Sequence, residues 1–134
     1  MRLRSKKIAN GPGIPRNPDD YSPKAVKNHS KRWIRETMGS IPEKTVMLTI
    51  QGDSMKPRLS SGDLVYIDTA AVDSGFQDGL WMVRIGGSYQ IKQVQIMAGG
   101  GFEARSINPE FATIPLTGDN WELLGRAVYR GERL

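Results

Sequence analysis

Residues 45–68 read TVMLTIQGDSMKPRLSSGDLVYID, and how this stretch is assigned decides the fold. The runs "TVMLTIQ" (45–51) and "DLVYID" (63–68) are short and rich in β-branched and aromatic residues. They are bounded by Gly52-Asp53 and by Ser60-Ser61-Gly62-Asp63. Such runs between turn-forming residues are strands. The segment joining them holds Ser54, flanked by Gly52, Asp53 and Met55 and followed by Pro57. Two readings of Ser54 stand side by side. Either the turns simply bracket irregular backbone, or they hold Ser54 as a nucleophile.

The same texture continues downstream. "GLWMVRI" (79–85), "SYQIKQVQIM" (88–97), "FEARSI" (102–107) and "WELLGRAVY" (121–129) are strand-like and separated by Gly-, Asp- and Ser-rich turns. Six short strands with no helical pattern between them predict a mainly β, antiparallel fold. Upstream the chain differs. Residues 1–22 carry Gly11, Pro12, Gly13, Pro15 and Pro18 with little apolar periodicity, the composition of an arm or linker. Ser22-Pro23 and Gly39 are start and stop signals for one N-terminal helix over 23–39. Its narrow apolar face (Val26, Trp33, Ile34, Met38) must dock on the domain, which spans 44–134.

Composition excludes several classes. A chain of 134 residues is one domain with a tail. No apolar run approaches the roughly 18–20 residues that a bilayer span requires, and the basic N-terminus lacks the apolar segment of a secretory signal. The absence of cysteine removes disulfides and thiolate nucleophiles, and a single histidine, His29, is too little for a zinc site. These features predict a cytoplasmic protein without membrane contact, metal or cofactor. Net charge is +5, yet residues 1–35 hold ten Lys/Arg against Asp19 and Asp20, which is +8 and leaves −3 for the rest. The globular part is therefore not basic. The arm, with Arg2, Arg4, Lys6 and Lys7, reads as a solvated tail or as a weak binder of nucleic-acid phosphates.

Among other candidate sites, Gly99-Gly100-Gly101 lacks the Gly-Lys-Ser/Thr ending of a phosphate loop and reads as a hairpin turn. Asp63, Asp68, Asp73 and Asp78 read as turn and cap residues, and Asn108-Pro109 begins a further turn. Lys92 is different. Strand alternation places it on one face with Val94 and Ile96, which predicts partial burial. It is either an amphipathic edge-strand lysine whose head reaches water, or an amine that apolar surroundings turn into a general base. A serine hydroxyl needs such a base, and Ser-Lys pairs are one known solution.

The ordered set GDSMKP (52–57), SGDLVYID (61–68), DGLWMVRIGG (78–87), IKQV (91–94), RSINPEF (105–111) and LLGRAVYR (123–130) resembles the C-terminal domains of LexA-like serine peptidases, which include phage CI-type repressors and the UmuD proteins. The likeness covers about residues 44–134. It implies twisted antiparallel sheets of the LexA/signal-peptidase type. Ser54 would be the nucleophile and Lys92 its base. The backbone N–H groups of Ser54 and Met55 would bind the oxyanion, Gly52 and Gly62 would supply unusual backbone conformations, and Met55 and Pro57 would shape the cleft beside Asp53. It further implies a homodimer or higher homo-oligomer, self-cleavage stimulated by a RecA filament, and DNA binding through a helix-turn-helix domain that residues 1–43 do not contain. Relatives cut an Ala-Gly or Cys-Gly bond upstream of the nucleophile. Here Ala98-Gly99 is downstream, and the upstream glycine bonds are Asn10-Gly11, Pro12-Gly13 and Met38-Gly39. Gln93 stands where the family often has arginine. A non-cleaving dimerisation module with an idle dyad and a signal-peptidase-like enzyme are the alternative readings.

Overall fold

A computed structural model describes residues 23–26, 31–131 and 134. The elements are β1 (Lys24–Ala25), α1 (Lys31–Met38), β2 (Thr45–Thr49), β3 (Leu64–Asp68), β4 (Gly79–Ile85), β5 (Ser88–Ile96), β6 (Phe102–Arg105), β7 (Ile114–Leu116) and β8 (Trp121–Tyr129). All the strands join one antiparallel sheet in the order β1-β2-β3-β8-β4-β5-β6-β7. The mainly β fold with one short helix is therefore the observed architecture, and each of the six expected strands is present.

Two strands go beyond that expectation. β7 contains Pro115, which cannot donate to a ladder, and it is tolerated because β7 is, among the described residues, an edge strand paired to β6 alone. β1 corrects the helix over 23–39. Lys24 and Ala25 are extended and pair with Met47 and Val46 of β2, and among the described residues the helix spans Lys31–Met38. An open sheet edge presents unpaired backbone groups, and this short segment satisfies two positions of it. Gly39, at φ 70°, ends the helix, and its N–H donates to the Arg35 carbonyl at 3.0 Å. Ile34 and Met38 are buried against Tyr66, and Trp33 packs edge-on against Tyr66 and Tyr129.

Alternation along the strands builds two cores. Leu80 and Met82 of β4 join Ile50, Met55, Leu59 and Ile91 in one. Trp81 and Val83 join Val94, Phe102, Ala104 and Trp121 in the other. β8, last in sequence, inserts between β3 and β4, with register shifts against both. Gly125 makes that insertion possible. A Cβ there would lie 2.6 Å from Ile67 Cγ2 and 2.9 Å from the Asp68 carbonyl oxygen.

Candidate active site

The loop between β2 and β3 is closed at its neck and pegged into the core. Ile50 N–H donates to the Asp63 carbonyl at 2.8 Å, and Gly62 N–H donates to the Ile50 carbonyl at 2.9 Å. Within the loop, Met55 and Leu59 are almost wholly buried (1% and 0% exposed), and Leu59 N–H donates to the Met55 carbonyl. Fully burying such a side chain contributes about 1.5–3 kcal/mol, so two pegs are enough to fix a loop of this length. Gly52 and Gly62 take φ values of 80° and 94°, the left-handed region that side chains resist. The two glycines of the opening stretch thus have a backbone reason. Ser54 sits half-buried between exposed Asp53 and buried Met55. Pro57 is exposed, and the Asp53 carboxylate pairs with Lys56 Nζ at 3.2 Å on the surface. Among the described residues, the backbone N–H groups of Ser54 and Met55 have no acceptor.

Lys92 is 4% exposed. β5 lies between β4 and β6, so the lysine is on an interior strand and the edge-strand reading does not hold. Trp81 is its direct partner on β4. On the other side Gln93 pairs with Arg105, so the chain leaving β6 brings Ser106 opposite Lys92. Lys92 Nζ donates to Ser106 Oγ at 2.9 Å. Burial depresses the lysine pKa, because removing the ammonium from water disfavours the charged form.

The segment that receives the lysine also reaches the serine loop. Asn108 N–H donates to the Ser54 carbonyl at 2.9 Å, and Asn108 Nδ2 donates to the Asp53 carbonyl at 3.1 Å. Asn108 Oδ1 meanwhile accepts from Glu110 N–H at 3.0 Å, which shapes the expected turn. Residues 106–108 therefore connect the amine to the Ser54 backbone. The hydrogen bond described for the amine is to Ser106, and none joins the side chains of Ser54 and Lys92. In the sequence Asn108 is legible as a turn residue and Ser106 carries no signal of a site. "RSINPEF" reads as strand end and turn, and only the three-dimensional path shows that two of its residues face the site.

A cavity of about 300 Å³ opens beside Ser54, lined by Ile50, Gln51, Met55, Tyr89 and Ile91 among others. Its lining mixes apolar Ile50, Met55 and Ile91 with polar Gln51, Ser88 and Gln90, a concave surface that suits a side chain of a peptide. Neither glycine-containing bond near the domain is presented to it. Met38 is 3% exposed, and the Gly39 N–H is held by the helix end. Ala98-Gly99 lies in the β5–β6 hairpin, closed by Met97 N–H to Gly101 O at 2.9 Å. Arg2, Arg4, Lys6 and Lys7 of the arm, with Asn10-Gly11 and Pro12-Gly13, lie outside the described residues. No helix among the described residues is long and apolar enough to cross a membrane.

A family model described as Peptidase S24-like matches residues 13–128, taking in the docked helix as well as the sheet. No curated protein matches the chain.

Proposed function

The chain belongs to the Peptidase S24-like family, and from that premise we propose that Ser54 and Lys92 form its Ser-Lys dyad. The domain would then be the self-processing and oligomerising C-terminal part of a phage- or prophage-type transcriptional repressor. The observation that carries this reading is the burial of Lys92 on an interior strand with its pKa depressed. A neutral amine is what activation of a serine hydroxyl requires.

In this scheme the Lys92 amine takes the Ser54 Oγ proton while Oγ bonds to the scissile carbonyl carbon. The oxyanion that forms is met by the Ser54 and Met55 N–H groups, which make no other hydrogen bond among the described residues. The Lys92 ammonium then protonates the leaving amine as the C–N bond breaks. Water, deprotonated by the same amine, then attacks the acyl carbon, and as the C–Oγ bond breaks the ammonium returns the proton to Ser54 Oγ. The cavity beside Ser54 would receive a side chain next to the scissile bond. A RecA filament would favour docking of the cleavage segment, a homodimer would pair two copies of residues 44–134, and DNA would be read by a helix-turn-helix domain outside this chain.

One observation favours a second reading, the dimerisation module with an idle dyad. Both bonds near the domain that could be cut are locked, Met38-Gly39 by burial and Ala98-Gly99 by its hairpin. Intact-mass measurement after incubation from pH 7 to 10, with and without RecA filaments, separates the two. Slow cleavage upstream of residue 44, faster at alkaline pH and abolished by Ser54→Ala and by Lys92→Ala, supports the peptidase. An unchanged mass throughout supports the module.

A further inference from the structure

We propose that Ser106 is the positioning residue that aims the Lys92 amine, a role that rests on reading Ser54 and Lys92 as nucleophile and base. Lysine carries four rotatable bonds, and a general base must hold its nitrogen within hydrogen-bond reach of the proton it takes. Trp81, the cross-strand neighbour of Lys92, has its indole N–H bound to the Gln77 carbonyl and offers the amine no acceptor. Ser106 Oγ, at 2.9 Å, is the partner described for that head.

The hydroxyl is well placed for this task. Ser106 is half-buried where β6 ends, and the chain is pinned two residues later by the two donations from Asn108 to the serine loop. A movement of residues 106–108 would therefore shift the partner of the amine and the Ser54 backbone together. A hydroxyl also suits both states of the base. It accepts from the ammonium and donates to the neutral amine, so it keeps its contact through a proton-transfer cycle. A carboxylate in its place would hold the lysine charged and stop it from acting as a base.

The charges on neighbouring strands do not take over this role. Arg84 of β4 is bound to the Gly86 carbonyl and lies beside Glu122 of β8. Glu103 of β6 is bound to Gln95, Arg105 is exposed, and Arg126 of β8 is bound to Gln77. The depressed pKa of Lys92 has burial as its cause, without a charged neighbour.

The test compares wild type, Ser106→Ala and Ser106→Thr with two readouts on the whole chain. One is the rate at which a small fluorophosphonate labels Ser54, mapped by peptide mass. The other is the pH midpoint of trace acetylation of Lys92 by acetic anhydride. The Ala variant is expected to label about tenfold to a hundredfold more slowly, the cost of a misplaced catalytic group. Its Lys92 midpoint should nevertheless move to lower pH, because a buried ammonium has lost its acceptor. The Thr variant, which keeps the hydroxyl, should restore both. Unchanged labelling and midpoint in the Ala variant would overturn the role of Ser106. So would slowed labelling with an unmoved midpoint, which marks a contribution to the fold alone. Wild type that never labels at Ser54 would instead overturn the nucleophile assignment, and the role of Ser106 would fall with it.

Discussion

Replacing Lys92 by methionine should make the protein more stable while removing its proposed base. The side chain is 4% exposed, and one contact, to Ser106 Oγ at 2.9 Å, is described for its amine. A hydrogen bond to a charged group returns about 1.5–3 kcal/mol, whereas each buried donor left without an acceptor costs about 1–3 kcal/mol. Burial disfavours the ammonium, as the direction of its pKa shift shows, and one hydrogen bond to a hydroxyl offsets only part of that cost. Methionine is an unbranched apolar side chain of similar length and carries no donor. The expected gain is about 1–2 kcal/mol at pH 7, or about 3–6 °C in Tm for a chain of this size.

The gain should depend on pH, and the sign follows from the direction of the shift. Burial holds the folded pKa of Lys92 below its unfolded value of about 10.4. Between the two pKa values the unfolded chain binds the extra proton, so wild-type stability rises with pH in that window. Below the folded pKa the penalty is complete, and above the unfolded pKa it has gone. Urea unfolding of wild type and Lys92→Met at pH 7 and at pH 10 should therefore show a gap that narrows at the higher pH. A variant less stable than wild type at pH 7, or a gap indifferent to pH, would refute this view of the lysine.

Gly125→Ala should lose about 1–3 kcal/mol, since the new Cβ meets Ile67 Cγ2 at 2.6 Å and also two backbone atoms, Asp68 O and Thr69 Cα, that cannot yield easily; thermal unfolding reads the loss. Gly52→Ala should lose about 1 kcal/mol for a different reason, since its φ is +80° but nothing lies within 4 Å of the new Cβ; Gly52→Asn, which tolerates that region better, should recover part of the loss in the same melt. Asn108→Ala should cost about 0.5–1.5 kcal/mol for the lost donation to Asp53 O and slow fluorophosphonate labelling of Ser54, while the backbone bond to Ser54 O remains.

The strands were legible because their apolar residues alternate between bounded turns, as Leu80 to Val83 show when they divide between two cores. The glycines of the serine loop were legible too, because a Gly-Asp pair before a serine and another before a strand leave few conformations. The short edge strands were not. Pro115 argues against a strand unless its edge position is known, and Lys24-Ala25 becomes extended through contact with β2, not through its own propensity. Lys92 was legible as a half-buried lysine. Its interior place follows from β4 and β6 folding back on either side of β5, and the hairpin turn at Gly99-Gly100-Gly101 pointed to β6, which the edge-strand alternative left unused. Ser106 and Asn108 were out of reach, because their contacts form only where the chain leaving β6 passes Lys92 and meets the serine loop. Asn108 lies 55 residues from Asp53, and its importance is a matter of chain path.

If the buried Lys92 amine activates Ser54, the rate of fluorophosphonate attachment to Ser54 must depend on pH and on that amine, which wild type and Lys92→Ala compare. The expected result is an adduct on Ser54 alone, forming faster as pH rises from 7 to 9 and slowed by about 10²–10⁴ in the variant. Equal rates in the two proteins, or an adduct on another serine, would contradict it.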